Sequence, residues 1–386
     1  MPKTVLMLPF GDALAHTVRL LEVAEVLREH GHRVVFASDG RYLALVREAG
    51  FPVKALIEVD VEWLLRQTRR GLLPISAGMV DRFVREELAL FEEIKPDIIV
   101  RDLAHATRIS AEVAGLPLVS LLNAYQTRYA LDPVFTLQEP RELPPDAVGP
   151  ILQRDTVKPY NEVRQRFDLP PLADSLDLLT SDLNLLCDVP EYAPTAHLPK
   201  PFVYVGPITW EGGGEVPAWL GHLDPDRPTV YVTIGSSGHR DLFQVAVEAF
   251  SGSAYQVLMT TGRPEEPLPS LPDNFFATPF APGSRLLARS DVVVCHGGNG
   301  TAYQALAQGV PIIAFPLLWD QRWNARRQAE LGVGLTLQEP TPDGLRKAVD
   351  EILGDGRYKA AAERFRQILA RYHGPQAAAR LIESYG

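Results

Sequence analysis

The seven residues Cys295-His296-Gly297-Gly298-Asn299-Gly300-Thr301 carry the densest chemical signal in the chain. They close an apolar run at 291–295 and open a helical pattern at 302–308. Backbone stripped of side chains therefore meets a helix start, whose first N–H groups lack intrahelical partners. Such a turn is a phosphate cradle. The helix dipole contributes only about 0.3–1 kcal/mol, so several N–H bonds and a side chain such as His296 must add to it. Glycines at a helix start also serve purely structural ends, and the heptad alone leaves both readings open. Beyond the next apolar run come Asp320 and Gln321, at the carboxyl end of a neighbouring strand, where open α/β sheets bind ligands. A carboxylate beside a carboxamide suits a polyol, because hydroxyls need both acceptors and donors. The pair reads equally well as a helix N-cap and first turn.

These residues need elements to hold them, and the chain alternates strand-like with helix-like segments, the pattern of parallel sheets covered on both faces. In the first half, strands are expected at 4–9, 33–38, 97–101, 117–122 and 182–187, with helices at 16–30, 41–49, 77–94 and 105–114. Gly31 is a natural stop for the first helix. The segment 123–150 is irregular, and a long loop in a compact domain is more often functional than accidental. A Pro/Gly-rich stretch at 199–228 then breaks the pattern. Strands resume at 229–234, 255–260, 275–278, 291–295, 311–315 and 334–337, and helical patterns at 342–353 and 357–385 end the chain. The expected domains are residues 1–205, a linker at 206–228, a second domain at 229–356 and C-terminal helices at 357–386.

Composition removes several function classes. With 386 residues, 46% hydrophobic and 22% charged, the chain buries a full core and is not disordered. A formal charge of -10 without a Lys/Arg block argues against a nucleic-acid partner. The longest apolar stretch, 310–319, is broken by Pro311 and Pro316 and falls short of the roughly 20 residues a bilayer span needs. Two distant cysteines, Cys187 and Cys295, form neither a disulfide framework nor a metal pair, so a reducing, cytoplasmic setting is expected. Lys3, the apolar run after it and Ala13-Leu14-Ala15 imitate a signal peptide, but Asp12 interrupts the run and a first strand with its loop explains it better.

Taken together, His296 to Thr301, Gly309-Val310-Pro311, Pro316 with Asp320-Gln321, and Asn324-Ala325 resemble the donor-binding block of glycosyltransferase family 1. These are the UDP-glycosyltransferase-like GT-B enzymes that include bacterial macrolide and natural-product glycosyltransferases. The resemblance spans nearly the whole chain and is densest at 229–337. It implies an α/β fold of GT-B architecture, two Rossmann-like domains facing each other across a cleft, with the acceptor in the first domain and the nucleotide sugar in the second. His296, Gly298 and the backbone of Asn299, Gly300 and Thr301 would hold the diphosphate, with Ser236 contributing from a facing loop. Asp320 and Gln321 would hold sugar hydroxyls. The base would lie against Phe280-Ala281-Pro282-Gly283, with Ala281 at its centre, where many relatives have Val-Pro-Gln. Many relatives also carry Glu three residues after the Thr; here Gln304 replaces it and loses a charge-assisted bond of roughly double strength. A UDP-sugar is favoured, and a dTDP-sugar, which lacks the 2′-hydroxyl, competes.

By the same resemblance His16 matches the family's catalytic His, usually found as Gly-His-x-x-Pro. Here it reads Ala15-His16-Thr17-Val18-Arg19, without the Gly or the Pro, while Leu21 and Ala24 keep the family register. Outside the family context a His at a helix start is more often a plain surface or capping residue. Asp102 corresponds to the partner carboxylate that orients His16, or it caps the helix near His105. The implied reaction is a single displacement with inversion, needing no cofactor and no metal. Phe10, Trp63, Phe83, Tyr125, Tyr129 and Phe135 lie in segments that relatives use for acceptors, which implies a small apolar or aromatic acceptor, while aromatics in these segments serve a core equally well. The last helix, near 361–385, is implied to cross back to the first domain.

Competing chemistries fit less well. No two Glu residues are separated by seven others, the pair retaining GT-B enzymes usually carry, and no Lys lies near the motifs to bind a phosphorylase cofactor. Asp224-Pro225-Asp226 imitates a metal-binding Asp-x-Asp but reads as a turn. Asn299-Gly300-Thr301, formally a glycosylation acceptor, lies inside the cradle. The altered surroundings of His16 and Gln304 leave an alternative of another class, a catalytically silent nucleotide-sugar binder or helper protein. A nucleotide-sugar epimerase is a weaker rival.

Overall fold

A parallel strand covered on both faces must be apolar without alternation, and Thr4–Pro9 is such a run, buried over its last five residues. It is β1, at the centre of the first of two units. The computed structural model describes residues 1–57, 75–132, 154–212, 214–235, 241–262 and 270–385. Unit 1 comprises Met1–Ile208 with His373–Gly386, and unit 2 comprises Thr209–Tyr372.

In unit 1, β1, β2 (Arg33–Ala37), β3 (Val53–Lys54), β4 (Ile98–Asp102), β5 (Leu118–Leu122), β6 (Leu183–Leu186) and β7 (Phe202–Tyr204) form one sheet in the order β3-β2-β1-β4-β5-β6-β7. All neighbours are parallel. Successive side chains of β1 enter opposite layers. Val5 and Met7 pack with Leu20 and Leu27 of helix Leu14–Glu29 and with Ala378 and Ile382 of helix Gly374–Ser384. Leu6 and Leu8 pack with Phe91 and Ile94 of helix Ala77–Ile94. The first helix ends at the expected stop, with Gly31 at φ 87°.

In unit 2, β8 (Thr229–Thr233), β9 (Gln256–Thr260), β10 (Phe275–Thr278), β11 (Val292–Cys295), β12 (Ile312–Ala314) and β13 (Gly334–Thr336) form a second parallel sheet, ordered β10-β9-β8-β11-β12-β13. Each sheet is Rossmann-like, and each has a switch point where the strand order reverses, at β1/β4 and at β8/β11. Loops leaving the carboxyl ends there diverge to opposite faces, which leaves room for a ligand.

The structure moves three expected boundaries. β7 lies inside the Pro/Gly-rich stretch, where Asn184 N–H donates to Pro201 O at 2.6 Å at the sheet edge. Residues 209–228, expected as linker, belong to unit 2, because Gly212 and Gly214 lie against the carbonyls of Ala281 and Phe280. The helical pattern at 357–385 is two helices, Gly356–Leu369 in unit 2 and Gly374–Ser384 in unit 1. The strand β3 was not anticipated at all, and it is only two residues long.

Phe250 is fully buried in unit 2 among Val232, Val257 and Leu345, with its ring edge-on to Tyr255 at 5.5 Å. Phe250→Ala is expected to cost about 3–5 kcal/mol of unfolding free energy. Urea denaturation checks this, and a cost below about 1 kcal/mol would contradict the packing described.

Candidate active site

Both groups of site residues sit at the switch points. In unit 1, Pro9 of β1 pairs in register with Asp102 of β4, so the loops after both strands start side by side. Phe10 N–H donates to Asp102 O at 3.0 Å, which ties the first loop down. His16, in the first turn of helix Leu14–Glu29, then points its ring at β4: Nδ1 lies 2.7 Å from Asp102 Oδ1. Asp102 is 1% exposed and His16 19%, so the carboxylate is sealed and the imidazole is reachable. With Nδ1–H donating to the carboxylate, Nε2 is the free acceptor. Leu103, directly after Asp102, has φ 62°, a left-handed conformation that costs a non-glycine residue on the order of 1 kcal/mol. It turns the chain away sharply, so Asp102 caps no helix; the next one starts at Thr107 without a side-chain cap.

Asp102 has a further partner. Arg19 Nε donates to Oδ2 at 2.9 Å and Nη2 to Oδ1 at 3.0 Å, while Nη1 donates to Asn123 Oδ1 at 3.0 Å. Burial opposes the guanidinium charge, but Asp102, with Cys187, Tyr125 and Asp188 adding to it, raises the Arg19 pKa above its already high value.

In unit 2, β11 ends at Cys295 and helix Asn299–Ala307 begins after Gly298, which provides no side-chain cap. The first N–H groups of that helix are left open to a ligand. His296 is buried between glycines: a Cβ on Gly235 would lie 2.5 Å from its Cε1, and one on Gly298 would lie 2.2 Å from its Nε2. Only glycine fits at either place. Burial lowers the His296 pKa to about 4, so the ring is neutral at pH 7. Its Nδ1 and the Oδ1 of Asn299 are buried without a hydrogen-bond partner among the described residues. Buried polar atoms are rarely left so, and both lie at the cradle.

The other expected donor residues are placed differently. Gln321 is 1% exposed, and its Oε1 accepts from Leu317 and Leu318 N–H at 2.9 and 3.1 Å, so it braces the start of helix Trp319–Glu330. That is the first-turn role, the other reading open from the sequence. Asp320 is half-buried in the same first turn. Gln304 donates from Nε2 to Trp210 O, and its Oε1 would lie 3.0 Å from a Cβ on Gly283. Gly283 N–H in turn donates to Glu211 O at 2.9 Å, so the Phe280–Gly283 loop and the segment after residue 209 brace each other, with Ala281 buried. Gly300 is exposed and Thr301 half-buried in the open helix turn. Ser236 lies outside the described residues, as do Trp63 and Phe135.

Three aromatics expected to line an acceptor site are packing residues. Phe83 joins the cluster of Val80, Val84, Ile109 and Val157. Tyr125 is 2% exposed in a short helical turn at Ala124–Gln126, and Tyr129 packs edge-on against Phe202 at 5.0 Å. Phe10 is half-buried beside the end of β1. Among the described residues no group of three or more His, Cys, Asp or Glu can hold a metal ion, and no helix is long and apolar enough to cross a membrane.

Residues 254–384 match the family model of the erythromycin biosynthesis protein CIII-like C-terminal domain. The PGL/p-HBAD biosynthesis glycosyltransferase of Mycobacterium tuberculosis H37Ra is 33% identical over 380 residues, covering 95% of this chain and 88% of its own. The chain belongs to the family 1 glycosyltransferases of the bacterial natural-product type. A PGL/p-HBAD biosynthesis rhamnosyltransferase of Mycobacterium bovis BCG is 32% identical, covering 100% of this chain and 84% of its own. The glycosyltransferase also superposes on the spinosyn rhamnosyltransferase SpnG, solved with thymidine diphosphate, at a TM-score of 0.74 and 21% identity over 100% of each chain. The fold is GT-B.

Sequence reasoning missed Arg19 and Trp210 in this glycosyltransferase. Arg19 left a signal, a charged residue on the buried stripe of Val18, Leu20 and Leu21 at the position of the family's Pro. Trp210 left none, since its contact is made by a backbone carbonyl.

His296 ties the cradle to pH. An unfolded His protonates near 6.5 and the buried one only near 4, so between those values the unfolded state binds more protons and stability falls as pH falls. The shift is worth on the order of 3 kcal/mol. In urea unfolding from pH 7 to pH 4, His296→Gln is expected to lose less stability than the wild-type protein. Equal losses would show that His296 is protonated without cost in the folded state.

Proposed function

We propose that this glycosyltransferase moves a sugar from a nucleoside diphosphate sugar to a hydroxyl of a small acceptor, with inversion and without a metal ion. The observation that carries the reading is the 2.7 Å contact between His16 Nδ1 and the buried Asp102 carboxylate. It holds the imidazole with Nε2 as the free base and offers a carboxylate to the imidazolium that forms. The acceptor proton goes to Nε2 as the acceptor oxygen bonds to the anomeric carbon. The bond from that carbon to the diphosphate breaks in the same step. The leaving diphosphate would be received by the open N–H groups of Asn299, Gly300 and Thr301 and by a ring N–H of neutral His296. Asp320 and the unpartnered Oδ1 of Asn299 are the acceptors on hand for sugar hydroxyls.

Gln304 supports a narrower choice of donor. With one amide N–H given to Trp210 O, it offers the ribose no carboxylate. This favours a deoxyribose donor, a dTDP-sugar, over the UDP-sugar expected from the resemblance, and SpnG was solved with thymidine diphosphate. For the acceptor, half-buried Phe10 supports an apolar or aromatic molecule. The buried free thiols of Cys187 and Cys295 fit an enzyme of the cytoplasm. The silent-binder reading rested on the altered residues around His16 and on Gln304; the reach of His16 to Asp102 without the Gly or the Pro supports catalysis on the first of these counts.

His16→Ala is expected to lower kcat/KM about 10²- to 10⁴-fold while leaving the thermal shift produced by nucleoside diphosphate unchanged. Transfer is followed against a panel of phenols and alcohols. The shift is compared for UDP, dTDP and GDP, since specific binding raises stability by mass action. Full transfer by the variant would remove His16 as the base, and a larger shift with UDP than with dTDP would overturn the donor choice.

A further inference from the structure

The Asp102 carboxylate is approached by two cationic or basic groups from one helix. His16 and Arg19 are three residues apart, so both point from the same face of helix Leu14–Glu29 toward β4. Arg19 is 8% exposed at its side chain, and its Nη2 lies 3.1 Å from His16 Nδ1 as well as 2.8 Å from Asp102 Oδ2. The guanidinium is fixed at its far end, where Nη1 donates to Asn123 Oδ1. Asn123 is fixed in turn: its Nδ2 donates to Asp188 Oδ2 at 3.2 Å, and that oxygen also accepts Ala124 N–H at 2.6 Å. The loops after β5 and β6 therefore hold the far end of the guanidinium whose near end binds the carboxylate, and a guanidinium held this way has little freedom to turn.

A buried carboxylate with only an imidazole beside it would draw a proton onto the ring, because an opposite charge within a few ångströms favours the charged form. A protonated imidazole is no base. A second cation on the same carboxylate offsets that pull and repels charge on the ring. From β4, Arg101 turns to the other face, bonding Ser120 Oγ and the carbonyls of Ala104, Leu178 and Thr180. His105, beyond β4, is held neutral, its pKa lowered to about 4 by burial and then by Arg101 and His16. Cys187, after β6, is a neutral thiol, pushed up to about 12 by burial. Tyr125 and Asp188 complete the surroundings from the loops after β5 and β6.

On the reading that His16 is the base, we infer that Arg19 is a positioning residue, which fixes the Asp102 carboxylate against His16 and keeps the imidazole in its uncharged, proton-accepting form. It stands where the family has proline, so this chain replaces a rigid backbone element by a buried charge.

The inference is tested without a known acceptor. Histidine labelled with ¹³C at Cε1 is followed by NMR across pH in the full-length protein, and the His16 signal is assigned by its loss in His16→Ala. In Arg19→Met the His16 titration midpoint is expected to rise by about one pH unit or more. Arg19→Lys, which keeps a cation, is expected to restore most of the difference. In Arg19→Met with Asp102→Asn, where neither charge remains, the midpoint is expected to fall back toward the wild-type value. An unchanged nucleoside diphosphate thermal shift identifies folded variants, and if Arg19→Met does not fold, the double variant and Arg19→Lys carry the test. A midpoint in Arg19→Met within experimental error of wild type, or one that the double variant leaves raised, overturns the inference. Retained transfer by His16→Ala would instead remove the base reading on which it rests, so the two failures are distinguishable.

Discussion

Parallel pairing of β1 with β4, and of β8 with β11, is the constraint on which the chemistry depends. In each sheet these two strands flank the point where the order reverses, so the loops after them part to opposite faces. That parting leaves space at the carboxyl ends without a gap in the sheet. His16 and Asp102 are delivered to one such point by β1 and β4. Gly235 and His296 are delivered to the other by β8 and β11. One topological rule, used twice, thus places a base in one unit and a phosphate cradle in the other. The demands it makes elsewhere are ordinary: central strands apolar on both faces, and helices amphipathic enough to cover them.

What the sequence revealed follows from which residues have only one physical use. The continuous apolar run Thr4–Pro9 reads as a buried strand, and the structure places it at the expected residues; Phe275–Thr278 also stands where expected, though only Phe275 of it is buried. β3 was invisible because it is two residues long, and β7 because it lies inside the Pro/Gly-rich stretch. At the site, Gly298 was legible because a side chain there would collide with His296. Gln304 and Gln321 were not, since a carboxamide bonds a backbone group as readily as a ligand, and only tertiary placement decides. The aromatics at 83, 125 and 129 failed for the same reason: a ring lines a cavity or fills a core with one chemistry.

The two units treat buried polarity in opposite ways. In unit 2 the cradle is built from neutral parts, with a His stripped of its charge by burial and backbone N–H groups. In unit 1 full charges are kept inside. Alternation along β4 sends Arg101 and Asp102 to opposite faces, so each must find its own partners. Asp102 takes His16 and Arg19, while Arg101 relies on Ser120 and three backbone carbonyls, and burial lowers its pKa to about 9. Buried charge persists only where hydrogen bonds on this scale surround it, which makes the region around β4 intolerant of single polar deletions.

The helix Gly374–Ser384 completes the core of unit 1, although residues 209–372 lie between it and the rest of that unit in the chain. On the ribosome, Val5, Met7, Leu20 and Leu27 must wait while that intervening stretch is made, on the order of ten to thirty seconds at cellular synthesis rates. Unit 2, whose residues are contiguous, has no such delay. The nascent chain therefore carries an unfinished apolar face while residues 209–372 are being made.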